Sequence, residues 1–111
     1  GYIHYTEFEP GVYLLGGLCV DARLYRRLAP KLRSEIAAHG SLSRWLLTRS
    51  LEGLGTKRAV FAHTGNTISR RDGDAVGFVP ASGQYLIVQW HDEPPEARAA
   101  LVQRVEALGP F

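Results

Sequence analysis

Apolar residues run almost unbroken from Val12 to Val20, and that continuity predicts a strand covered on both faces at the heart of a sheet. The Gly16-Gly17 pair within it predicts a bulge or a close approach by another backbone. Ahead of this run, Tyr2-Ile3-His4-Tyr5-Thr6-Glu7-Phe8 alternates weakly and is rich in aromatic residues, as an edge strand is, and it stops at Pro10-Gly11.

After Asp21, a plausible N-cap, the period lengthens: Tyr25, Leu28, Leu32 and Ile36 recur at intervals of three and four and predict a helical segment. Pro30 either kinks it or opens a second helix at its first turn, and His39-Gly40 ends it. Ser41 or Ser43 then caps a helix carrying Leu42, Trp45, Leu46, Leu47, Leu51 and Leu54, closed by Gly53 and Gly55. Beyond Gly55 the period falls to about two. Arg58 to His63 reads as a strand, Thr64-Gly65-Asn66 as a tight turn and Thr67 to Arg71 as the returning strand of a hairpin. Asp72-Gly73 is a second hairpin signal leading into Ala75 to Val79, and Pro80-Ala81-Ser82-Gly83 turns the chain into the clearest strand, Gln84 to Trp90. Asp92 is placed to cap a last helix through Pro94, Pro95 and Glu96, with Ala97, Leu101, Val105 and Leu108 as its apolar stripe and Gly109-Pro110 as its stop.

Strands and helices therefore come in blocks. The expectation is one α+β domain over residues 1–111, with a mainly antiparallel sheet of about four to five strands and two to three helices packed on one face. A chain of 111 residues with 45% hydrophobic content is long enough to bury an ordinary core. The lone Cys19, in an apolar setting, reads as a buried core residue and fits a cytoplasmic or otherwise reducing home. No apolar run reaches the roughly 18 residues of a membrane span, and no leader pattern opens the chain. The absence of Met suggests that the natural start lies upstream of Gly1 or has been removed.

Charge changes the picture because it is sorted by position. The stretch from Ala22 to Arg71 holds eleven Lys and Arg residues against Glu35 and Glu52, a balance of +9, whereas residues 1–21 carry −3 and residues 72–111 carry −4. Like charge gathered on one surface creates a field reaching roughly 8 Å in physiological salt. Nine of the eleven basic residues are Arg, whose forked donors suit phosphate and carboxylate. Arg23, Arg26, Arg27, Arg33, Arg44, Arg49, Arg70 and Arg71 are the candidate partner-binding residues, and an acidic protein surface or nucleic acid is the expected partner. The ordinary alternative is a solvated helix face, or pairing with acids from the two ends of the same chain.

Candidate chemistry is sparse. The run Glu35 to Arg49 resembles a helix-turn-helix, and the hairpin expected after it resembles a wing, which would make Ser43, Arg44 and Arg49 readers of base edges. Ile36 stands where that family has a small residue and Arg49 where it has a buried apolar one. His4, His39, His63 and His91 have no metal-site spacing, so neither a metal nor a cofactor is expected. His91-Asp92-Glu93 at the end of the best strand is the most chemical-looking triplet, although a cap-and-loop role explains it. The N-terminal aromatics Tyr2, Tyr5, Phe8 and Tyr13 suit core or edge packing, and an open edge strand suits a homo-oligomer built by strand addition. These observations lead to a small binding module with an Arg-rich face, more consistent with binding than with catalysis. A ligand-binding domain or small enzyme, with His63, His91 or Tyr85 in a pocket between sheet and helices, is the competing expectation.

Overall fold

The computed structural model describes residues 2–19, 23, 26–64, 67–109 and 111. These residues form an α+β domain around a five-stranded, mostly antiparallel mixed sheet. In chain order the elements are β1 (Tyr2–Glu9), β2 (Val12–Cys19), α1 (Pro30–Ala38), α2 (Leu42–Gly53), β3 (Ala59–His63), α3 (Thr67–Ala75), β4 (Val79–Ser82), β5 (Leu86–Trp90) and α4 (Pro95–Glu106). The strand order is β1-β2-β3-β5-β4, with β2 and β3 parallel and the other pairs antiparallel.

The β1–β2 hairpin closes at Pro10-Gly11, where Gly11 takes φ +79°, the left-handed value that a Pro-Gly turn places on its second residue. Pairing moves from Tyr5↔Leu15 to His4↔Gly17, so Gly16 is the extra residue of a bulge, as its sequence setting predicts. Both sheet edges are blunted. A second register shift disturbs β1 between Glu7 and Glu9, and β4 is short and carries Pro80.

Pro30 opens α1 at its first turn, and Gly40 at φ +94° lies just beyond its end. Ser41 caps α2 by accepting a hydrogen bond from Arg44 N at 3.1 Å. At the other end Lys57 Nζ donates to the carbonyl of Leu51, which also accepts from Leu54 N, and to that of Gly55 just past the helix. For α4, Pro95 starts the helix, while Glu96 in the first turn and Arg104 in the last complement its dipole.

Alternation along β3 divides the core. Ala59 and Phe61 face one side with Val12, Leu14, Leu86, Val88 and the α4 residues Leu101 and Val105. Val60 and Ala62 face the other side with Ile87, Phe78 and the α2 residues Leu47 and Leu51. All five β3 residues except His63 are buried, so β3 and not β2 is the covered centre of the sheet. Three of the N-terminal aromatics pack against the core: Phe8 on the α4 side, and Tyr5 and Tyr13 on the α2 side. Tyr5 OH lies 2.8 Å from Ser50 Oγ, and burial raises its phenol above the ordinary value.

Four readings are corrected. Thr67 to Arg71 is not the return strand of a hairpin; it belongs to α3, which runs through Asp72-Gly73. Four charged residues between Arg70 and Asp74 make this segment a poor strand, and tertiary contacts described below use the two residues that look like a turn. Ala75 to Val79 is consequently no strand until Val79, and Pro80 to Ser82 pair with β5 instead of turning. Asp92 caps nothing: α4 begins three residues later with Pro94 at its N-cap and no side-chain cap bond. Finally, α2 and α3 share one side of the sheet with α1 against α2, but α4 covers the opposite face, because both faces of β3 are apolar and each needs a cover. The proposed cap Asp21, the helical residue Tyr25 and the Gly65-Asn66 turn lie outside the described residues, as does the Cys19 side chain.

Candidate functional site

The arginines of the central stretch are largely spoken for. Arg44 Nε bonds Asp72 Oδ1 at 2.8 Å across α2 and α3. Arg49 pairs with Glu35 and reaches Glu52 at 3.9 Å. The Arg49 hydrogen bond holds the Glu35 carboxyl below its ordinary value, and Trp45, whose Nε1 is buried without a full hydrogen bond, lies close enough to add to the effect. Arg58 Nη2 lies 2.6 Å from Glu93 Oε2 and Nη1 lies 3.6 Å from Glu9 Oε1, while Arg104 bonds both Glu9 oxygens at 2.7 and 3.1 Å. Carboxylates from both ends of the chain thus neutralise a central cation. Arg70 Nη1 donates to the Gln84 carbonyl at 3.3 Å, and Arg23 and Arg33 are not free cations either. Of the eight arginines singled out from sequence, Arg26, Arg27 and Arg71 are exposed without an acidic partner among the described residues, as is Lys31.

The winged-helix resemblance fails at the wing, since the hairpin is α3. Arg49 and Ile36 do not follow that pattern either: Arg49 is exposed and paired, and Ile36 is buried.

Of the three pocket candidates, His63 and Tyr85 line one cavity and His91 stands apart. His63 ends β3 opposite Leu86, beside Tyr85, whereas His91 follows Trp90 at the far end of β5. Four to five residues of extended chain separate the two imidazoles, about 15 Å. His91 Nε2 lies 2.7 Å from Gln89 Oε1, and Gln89 Nε2 donates to the Val76 carbonyl at 2.6 Å, which assigns the His91 proton to Nε2. Burial, helped by Lys57, holds this imidazole below its ordinary value. The His63 ring instead lies 4.3 Å from that of Phe111.

A cavity does lie between the sheet and the helices. It has a volume of about 350 Å³ and opens at the carboxyl ends of the parallel strands β2 and β3. Leu47 of α2, Ala62 of β3, Ile87 of β5 and Phe78 form its apolar floor, continuous with the α2-side core. The Gly16-Gly17 bulge, Ser43, His63, Thr64 and Asp72 supply its polar rim. Thr64 is fixed by its N–H to the Tyr85 carbonyl at 2.9 Å. Gly73 completes the wall, and a methyl group there would meet Ile87 Cδ1 at 3.0 Å, so the glycine lets α3 approach β5. Open α/β sheets place ligands at this end of their strands because the chain turns away there and leaves a crevice.

Sequence reasoning found His63 but missed Ser43, Thr64, Asp72 and Phe78 as wall residues. The obstacle was α3, whose Asp72-Gly73 reads locally as a turn. The available signal was the charge density from Arg70 to Asp74, which is unfavourable in a strand. Among the described residues no group of three or more His, Cys, Asp or Glu comes together as metal ligands. No helix among them is long and apolar enough to cross a membrane. Comparison with protein-family models, curated proteins and solved structures finds no match.

Proposed function

We propose that this domain binds a small organic ligand in the cleft at the carboxyl ends of β2 and β3. The observation that carries the reading is the cleft itself: about 350 Å³, with an apolar floor and a few convergent polar groups. That size and lining are those of ordinary small-molecule sites. The separation of His63 from His91 favours binding over a reaction that needs both. The test is a screen of small fragments by protein-observed NMR at millimolar concentration. Binding shifts the resonances of Leu47, Ala62, Gly73 and Phe78 together, and Ser43→Leu, which fills the rim from the first turn of α2, weakens it at least tenfold. A screen in which no fragment moves those resonances, or in which Ser43→Leu changes nothing, removes the proposal.

A second reading concerns Arg26, Arg27 and Lys31, exposed cations within six residues of one another that lack acidic partners among the described residues. They favour an acidic protein surface or nucleic acid as a partner, by charge attraction and counterion release. Fluorescence titration with short DNA and RNA checks the nucleic-acid form. A steep loss of affinity with salt that flattens in the Arg26→Ala/Arg27→Ala/Lys31→Ala variant supports it, and no binding at low salt ends it.

A further inference from the structure

We infer that Phe111 is the specificity-determining residue of the cleft, a ring that closes one end of it and limits the length of the ligand, a reading that rests on the small-ligand proposal above. Strand β3 ends at His63, whereas β2 pairs with it only as far as Leu15↔Ala62 and runs on to Cys19 beside β1. The sheet therefore has a notch beyond His63. Phe111 lies at this notch: its ring is 4.3 Å from that of His63, and it forms part of the cleft wall together with Gly16 and Gly17.

The ring is held by more than one contact. It packs on the His63 imidazole at an interplanar angle of 52°, a tilted arrangement that aromatic rings favour, and it also packs against the core on the α4 side. Gly109, at φ +77°, ends the helical segment before it with the left-handed residue that commonly closes a helix. Phe111 thus touches the hydrophobic core of one sheet face and the cleft of the other, around the end of β3.

A second cavity, of about 580 Å³, is lined by Tyr85, Leu86, Glu106 and Gly109, and His63 and Thr64 belong to both cavities. The His63–Phe111 pair stands as the partition between the two. With that end closed, a cleft of about 350 Å³ is near the lower limit of ordinary small-molecule sites, roughly 300–1,000 Å³. The ligand class is accordingly a compact one, with a single ring or a short aliphatic chain as its apolar body. Along the floor of Leu47, Ala62, Phe78 and Ile87 each added methylene that is buried raises affinity roughly fourfold. Growth stops being rewarded where the chain meets Phe111, because a longer ligand must turn into solvent or displace a ring packed on two sides.

The primary alcohols from butanol to nonanol test the inference, since they vary length with a constant head group. In NMR titrations of the intact chain, affinity is expected to climb with each methylene and then level off, and the ring resonances of His63 and Phe111 move only for the alcohols long enough to reach the plateau. In Phe111→Ala the plateau moves to longer alcohols: nonanol binds at least about tenfold tighter than to the unaltered protein, butanol binds the two within about twofold, and the nonanol shifts spread to Tyr85 and Leu86. A plateau at the same length in both proteins overturns the role of Phe111 and leaves the small-ligand proposal standing. Absence of binding by every alcohol and by every fragment in the screen overturns both. Should Phe111→Ala not fold, the unaltered protein decides: ring resonances of His63 and Phe111 that stay still for every alcohol shifting Leu47 and Phe78 overturn the inference.

Discussion

Replacing Arg58 with Met removes the cation that is ion-paired with the Glu93 side chain. The Glu93 side chain is 4% exposed and its Oε2 lies 2.6 Å from Arg58 Nη2. Breaking a buried ion pair from one side typically costs about 3–5 kcal/mol, because the remaining charge keeps its desolvation penalty and loses its compensation. The Arg58 side chain, however, is 34% exposed, so water screens part of the pair and lowers the expected loss to about 2–3 kcal/mol. The bond from Arg58 Nη1 to the Pro10 carbonyl and the weaker contact with Glu9 fall within that figure. In urea denaturation followed by circular dichroism, the midpoint should fall by about 1 M or more, given slopes of about 1–3 kcal/mol/M for small domains. Glu93→Gln in the same background should recover much of the loss, since a neutral amide tolerates the buried site better than an unpaired carboxylate. A loss below about 0.5 kcal/mol in Arg58→Met, or a double variant no more stable than the single one, would falsify the claim that Arg58 compensates a buried charge.

Other expectations concern the helices and acid. Ser41→Ala deprives α2 of its cap and should cost about 1 kcal/mol in the same assay, whereas Asp92→Ala should stay within about 0.5 kcal/mol because Asp92 caps no helix. Comparable losses in the two variants would contradict the assigned caps. Gly73→Ala gains up to about 1 kcal/mol of helix propensity but forces a methyl against Cδ1 of the buried Ile87, so a net loss of about 1 kcal/mol is expected from overpacking. A stabilised variant would show that Ile87 yields freely. For pH, Arg104 holds Glu9 and Arg49 holds Glu35 below the ordinary 4.5, so their contribution is complete above that value and is lost as pH falls through the lower native values. The Glu9→Gln/Glu35→Gln variant should therefore show a shallower acid limb, and an unchanged limb counts against it. His91, held below 6.5, adds a smaller loss that begins as pH drops below 6.5 and should vanish in His91→Gln.

The hydrophobic pattern alone carried much of the architecture. The run from Val12, the Gly16-Gly17 interruption, Pro30 as a helix start, Ser41 as a cap and the strand ending at Trp90 all act through local backbone chemistry, which is why they were legible. The segment from Thr67 to Ala75 was not. Its Asp-Gly pair favours a turn in isolation, but in the folded chain Asp72 receives Arg44 from α2, and Gly73 gives α3 room beside Ile87. Those partners lie at least fourteen residues away, beyond any local pattern.

The same division holds for the candidate site. Amino-acid order determined that this is an α+β domain with positive charge concentrated in its middle and acids toward both ends. Only the tertiary structure decided where that charge goes: Glu9 and Glu93 reach Arg58 across long sequence distances, and Asp72 takes Arg44. Coulombic pairing depends on separation in space and on access to water, and neither can be read from position along the chain. The cleft follows from the same fact, since its walls come from elements that meet only when both faces of β3 are covered.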